Sequence, residues 1–132
     1  MDPELRAVVV AGYEAMSSGD PERMIALCDP EIAFQSRITA VEEVTYRGPE
    51  GVRRFFARLR EVFEWFEVEP TEIEGENGRA VAVAYFRARG RGSGAEVEQV
   101  FFHAMRVSGG KAQWWAFFDS RAEARAAVGL DS

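Results

Sequence analysis

Three glycine-bearing turns punctuate the second half of the chain: Glu76-Asn77-Gly78, Gly90-Arg91-Gly92-Ser93-Gly94 and Ser108-Gly109-Gly110. Glycine and asparagine tolerate the left-handed backbone that tight hairpins need. Around these turns lie β-rich or alternating segments, roughly 67–76, 79–89, 95–107 and 111–119. Hairpin connections make consecutive strands antiparallel neighbours, so the last three segments read as a meander. A sheet this long must bury a face, and its cover has to come from the first half of the chain.

The first half supplies helices. From Pro3 to Ser18, Leu5, Val8, Val9, Gly12, Tyr13 and Met16 recur at helical spacing. Asp2 caps that helix, Pro3 occupies its first turn, and Ser17-Ser18-Gly19 ends it. Asp20-Pro21-Glu22 opens a second, short helix with Met24, Ile25, Leu27 and Cys28 as its apolar side. Asp29-Pro30 closes it, because a residue before proline avoids the helical region. Glu31 to Arg37 alternates as a strand with Ile32, Phe34 and Ser36 on one face, and Val41 to Tyr46 is its expected partner. From Pro49 to Trp65, Val52, Phe55, Phe56, Leu59, Val62 and Phe63 form one stripe of a long helix whose Arg and Glu residues are its solvated side. Trp65 and Phe66 end that helix and read as core. Ser120 to Val128 is a short terminal helix, capped by Asp119 or Ser120.

The elements define an α+β fold, a strongly curved antiparallel sheet with three helices on its concave face. Such a sheet makes a cone whose open mouth is a ready small-molecule site. At 132 residues this is one domain, and 47% hydrophobic residues exclude a disordered chain. A net charge of −6 without a basic stripe excludes nucleic acid and anionic membrane as expected partners. Cys28 is the one cysteine, so no internal disulfide forms and a cytoplasmic location is expected. No apolar run approaches the roughly 20 residues of a membrane span, and no signal peptide opens the chain. One histidine and one cysteine cannot close a zinc site, and no carboxylate cluster has calcium-loop spacing. Gly90 to Gly94 joins two strands rather than cradling a phosphate, so no cofactor is expected.

Several phrases in order resemble the nuclear-transport-factor-2-like superfamily, in its SnoaL-like and ketosteroid-isomerase-like branch. They are Ser18-Gly19-Asp20, Asp29-Pro30-Glu31-Ile32-Ala33-Phe34, Tyr46-Arg47-Gly48-Pro49-Glu50-Gly51-Val52, and the ending from Phe102-His103-Ala104-Met105-Arg106-Val107 through Gly109-Gly110-Lys111 to Phe118-Asp119. The resemblance covers nearly the whole chain and is specific for the fold rather than for one chemistry. It implies a homodimer through the outer face of the sheet. The segment from Val97 to Val107 agrees, being apolar on both faces; cover by the terminal helix is the alternative.

Alternation puts Gln99, Phe101, His103 and Met105 on one face, and Trp115, Phe117 and Asp119 on one face of the next strand. The resemblance implies that these positions face the cone. Its polyketide-cyclase members imply Asp119 as proton abstractor and His103 as polariser of a substrate oxygen, in proton transfer next to a carbonyl. Tyr13, Phe34, Ser36, Phe86, Phe101, Met105, Trp115 and Phe117 are the expected pocket wall. The steroid-isomerase pattern fits less well: its base falls at Ser36, and its phenolic donor near Gly12, beside Tyr13 but facing differently. In the 79–89 strand, either Ala80, Ala82, Ala84 and Phe86 or Val81, Val83 and Tyr85 face inward; the sequence allows both phases. Two functions follow: a small acid/base isomerase or cyclase acting on a largely apolar ligand, or a non-catalytic ligand-binding or dimerisation module.

Overall fold

The computed structural model describes residues 1–36 and 44–130. Helix α1 (Pro3–Ser18) starts where Asp2 accepts the Glu4 N–H at 3.0 Å and stops at Gly19, whose φ of 74° supplies a left-handed cap. Helix α2 (Pro21–Ile25) repeats the Asp-Pro start, with Asp20 accepting from the Glu22 N–H. Strands β1 (Cys28–Ser36) and β2 (Val44–Arg47) follow, then α3 (Gly48–Val62), β3 (Phe63–Glu76), β4 (Arg79–Gly90), β5 (Glu96–Ser108), β6 (Lys111–Phe118) and α4 (Arg121–Ala127). Cys28 thus opens β1 rather than completing the second helix. Positions 37 and 41–43 of the expected strand pair lie outside the described residues.

The sheet runs β2-β1-β6-β5-β4-β3. The meander from β3 to β6 is antiparallel throughout, but β1 joins β6 in parallel, pairing Phe34 with Trp115. The sheet is therefore mixed. Turns disclose only the pairing of strands they connect, and β1 and β6 are joined by no turn.

Helix α3 ends at Val62, three residues before the expected end at Trp65. Phe63 is already extended, and Trp65 and Phe66 pair with Arg89 and Ala88 of β4. A long ladder with β4 outweighs the helical propensity of these residues. Arg91 completes the break: its backbone N–H donates to the Val62 carbonyl at 2.8 Å and its Nε to the Arg60 carbonyl at 2.8 Å. Carbonyls that a helix end leaves unsatisfied are taken up from a neighbouring turn.

The inward phase of β4 is the alanine one. Ala80, Ala82, Ala84, Phe86 and Ala88 share one core with Leu5, Val9, Tyr13 and Met16 of α1. The alanine face of β4 thus belongs to the packed core rather than to an open cavity above the sheet. On the outer face, α4 packs against Val81 and Ala104 with Trp114 and Phe118. Ser120 caps α4, accepting the Glu123 N–H at 3.1 Å. Beyond α4 the outer face continues as two cross-strand pairs, Val83 with Phe102 and Tyr85 with Val100. Val100 is 52% exposed.

Candidate functional site

Between the helices and the far end of the sheet lies a cavity of about 50 Å³. Phe34, Gln35 and Ser36 of β1 bound one side, and Met16, Phe55 and Leu59 of α1 and α3 form its roof. Phe63, Phe66 and Val68 of β3, Phe86 of β4, Phe101 and His103 of β5 and Phe117 of β6 complete it. The only polar side chains among these are Gln35, Ser36 and His103. The space is enough for one or two waters or a small functional group; a dry cavity that admits a whole benzene ring is about three times larger.

His103 is the chemical centre of this wall. It is a buried histidine, and its Nδ1 lies 2.7 Å from the Tyr13 hydroxyl. The ring is surrounded by Phe101, Phe117, Trp115 and Tyr13 at centroid distances of 5.8–6.1 Å. Among the described residues no charge compensates this burial, so desolvation pushes the imidazole pKa down to about 3 and keeps the ring neutral at physiological pH. Burial likewise raises the Tyr13 phenol well above its ordinary range. The pair is thus two neutral groups joined by one hydrogen bond. Because Nδ1 is occupied by Tyr13, Nε2 is the ring nitrogen left for the cavity.

Of the residues expected in the pocket wall, Phe34, Ser36, Phe86, Phe101 and Phe117 line this cavity. Tyr13, expected in the wall, is buried with its hydroxyl on His103 Nδ1; it is not among the residues lining this cavity and lies instead along a neighbouring groove. Met105 and Trp115 pack in the core, outside the lining. Trp115 is 1% exposed, its indole N–H has no hydrogen-bond partner among the described residues, and its ring lies against Gly12.

Asp119 is not brought to the same place. His103 stands opposite Phe117 in the β5–β6 register, and β6 ends at Phe118. Asp119 follows as an exposed residue before the α4 cap, outside the cavity lining. The alternation that put it inward holds only while the strand lasts. Among the described lining residues there is no carboxylate.

Met16, Gln35, Phe55, Leu59, Phe63, Phe66 and Val68 also line the cavity, beyond the residues the sequence pattern points to. Phe66 and Val68 carried a usable signal, alternating with Glu67 and Glu69 beyond the end of α3. A wider polar-rimmed groove of about 630 Å³ runs where Glu14 and Ser17 of α1 meet Glu67, Glu69, Tyr85 and Arg87. Ser17 closes part of the β3 edge there, its Oγ donating to the Val68 carbonyl and accepting the Val68 N–H, each at 2.9 Å. Among the described residues no cluster of His, Cys, Asp and Glu is arranged to hold a metal ion, and no helix is long and apolar enough to cross a membrane.

Helices on a curved, unclosed mixed sheet with an aromatic cavity at one end define an NTF2-like α+β roll. Residues 9–115 match the family model of the SnoaL-like domain, and the chain belongs to that family. Solved structures agree on the fold. An NTF2-like protein of unknown function from Burkholderia pseudomallei K96243 superposes with a TM-score of 0.79 at 18% identity, covering 96% of this chain and 98% of that one. A hypothetical protein with ketosteroid-isomerase-like fold from Catenulispora acidiphila, in complex with trimethylamine, gives 0.77 at 18% identity over 99% and 96%. An LEH-like epoxide hydrolase of M. tuberculosis gives 0.69 at 14% identity over 95% and 89%. No functionally curated protein matches the sequence.

Proposed function

We propose that this SnoaL-like protein binds a compact, largely apolar organic molecule, seating one oxygen-bearing end in the aromatic cavity against His103 while the bulk occupies the mouth. The observation that carries this is a buried His103, its Nδ1 taken by Tyr13, in a largely aromatic and aliphatic wall whose other polar side chains are Gln35 and Ser36. An apolar lining with few convergent polar groups is what orients small ligands in such sites. The limited volume of about 50 Å³ favours a small inserted group over a whole ring system.

Acid/base isomerisation or cyclisation next to a carbonyl needs a base beside the cavity as well as a polariser. A neutral His103 serves as polariser, but the residue expected as base, Asp119, is exposed beyond the end of β6. Ligand binding without turnover is therefore the better-supported reading. The apolar outer face around Val83, Tyr85, Val100 and Phe102 supports a homodimer, and the single, buried thiol of Cys28 supports a reducing, cytoplasmic setting.

Titration with cyclopentanone, followed by methyl resonances, tests the binding. Met16 is expected to shift in a saturable way in the wild type, and more weakly in His103→Phe. A Met16 methyl that does not respond up to millimolar ketone would remove this reading.

A further inference from the structure

We propose that Tyr13 is a positioning residue that fixes His103 as a hydrogen-bond donor to the cavity, so that the site selects ligands bearing an acceptor oxygen and rejects donor-only ligands of the same size. The inference deepens the ligand-binding reading above and rests on it.

The 2.7 Å contact between the Tyr13 hydroxyl and His103 Nδ1 can be made in two ways. In one, Nδ1 carries a proton and donates to the phenol oxygen. The phenol proton then needs another acceptor. Tyr13 is 1% exposed and has no second hydrogen-bond partner among the described residues, so that proton would be buried and unpaired. An unpaired buried donor carries the full cost of its desolvation. In the other, the phenol donates to Nδ1, and both groups satisfy their shared bond without leaving a buried proton over. The imidazole is neutral, so its single proton must then sit on Nε2.

Nε2 has no protein partner among the described residues, and His103 lines the cavity. Its N–H therefore faces the ligand space as a donor. The surroundings reinforce that polarity. Phe101, Phe117 and Trp115 flank the ring, and no charged group is among the described lining residues to draw the proton back to Nδ1. The choice of ligand is thus made on α1, one hydrogen bond away from the cavity. Ketones, aldehydes and ethers offer the oxygen that Nε2–H requires. At His103 a compact N–H donor such as pyrrole would meet a second donor.

His103 is the one histidine in the chain, so its ring nitrogens can be read by long-range proton–nitrogen correlation without ambiguity of assignment. The wild type is expected to show a protonated Nε2 and an unprotonated, hydrogen-bonded Nδ1 across neutral pH. In Tyr13→Phe the Nδ1 resonance should move to the non-hydrogen-bonded position, and the ring should protonate at a higher pH because its neutral form has lost a donor. A proton on Nδ1 in the wild type overturns the proposal, and that spectrum needs no variant to fold.

Affinity for cyclopentanone against pyrrole tests ligand choice. The wild type should favour the ketone by about tenfold, the scale of one well-formed hydrogen bond, and Tyr13→Phe should narrow that ratio. Equal affinities, or a preference for pyrrole, overturn the selection while leaving the cavity reading intact. Failure of both probes to bind overturns the cavity reading and the selection with it; the tautomer assignment is then decided by the spectrum alone.

Discussion

The Cβ that Gly12 lacks would stand 2.7 Å from Cζ3 of Trp115 and 2.8 Å from its Cη2. Helix α1 therefore touches the indole of β6 at van der Waals range only because position 12 has no side chain. Replacing a helical glycine by alanine ordinarily stabilises, by roughly 1 kcal/mol. Here the indole is fully buried and rigid, with Phe34 stacked on it at 6.0 Å and Tyr13 edge-on at 5.2 Å, so it has little room to withdraw. Overpacking of this kind costs about 1–3 kcal/mol. Gly12→Ala is expected to lower the melting temperature by several degrees, measured by thermal denaturation. A rise would mean that α1 shifts freely over the sheet.

The position of the His103 pKa gives a stability prediction with a definite sign. Its folded value is pushed to about 3 from an ordinary 6.5. The unfolded chain then binds a proton that the folded one refuses as pH falls below 6.5. Stability is complete above that value and is lost on acidification toward 3, with a slope of at most about 1.4 kcal/mol per pH unit. Denaturant titrations at pH 7 and pH 5 should show this loss in the wild type, in a range above most carboxylate titrations. His103→Gln, which cannot take the proton, should be nearly flat over the same interval. Equal slopes would place the histidine in contact with solvent.

Much of the fold was legible because its signals are local. Asp2-Pro3 and Asp20-Pro21 mark helix starts, and Gly78, Gly109 and Gly110 mark turns whose positive φ angles are 59–77°. The phase of β4 was not legible, because Ala80 and Val81 are both apolar and only the arrival of α1 on one face and α4 on the other separates them. The end of α3 is not legible, because Phe63, Trp65 and Phe66 continue an apolar pattern while changing its period. In the site, alternation correctly brought Phe101, His103 and Phe117 to one face. The Tyr13 contact joins residues 90 positions apart and has no sequence signature. Asp119 was carried inward by extending alternation past Phe118, where the strand stops.

Asp119 provides a discriminating variant. It lies outside the cavity lining and precedes the Ser120 cap. Asp119→Asn is expected to leave cyclopentanone affinity within about twofold, since no hydrogen bond to the ligand is removed, and to leave the His103 nitrogen spectrum unchanged. Calorimetric titration checks the first and NMR the second. A loss of tenfold or more would show that Asp119 reaches the bound ligand, and would restore the paired acid/base reading.

The outer face of the sheet yields the prediction on assembly. Helix α4 covers Val81 and Ala104, yet the next pairs along the same face, Val83–Phe102 and Tyr85–Val100, are left beside the charged pair Arg87–Glu67. A contiguous apolar patch with a charged rim is the usual anatomy of a protein interface. Two copies meeting face to face would bury Val100 at the centre of that patch. Sedimentation equilibrium is expected to report a dimer at micromolar concentration. Val100→Glu would place an unpaired carboxylate in the contact and weaken it by about a hundredfold, near 3 kcal/mol. The substituted position is 52% exposed in the single chain, so the variant's folding should be intact by circular dichroism. A wild type that stays monomeric at tens of micromolar, or a dimer indifferent to Val100→Glu, would show that the face is covered by something other than a second copy.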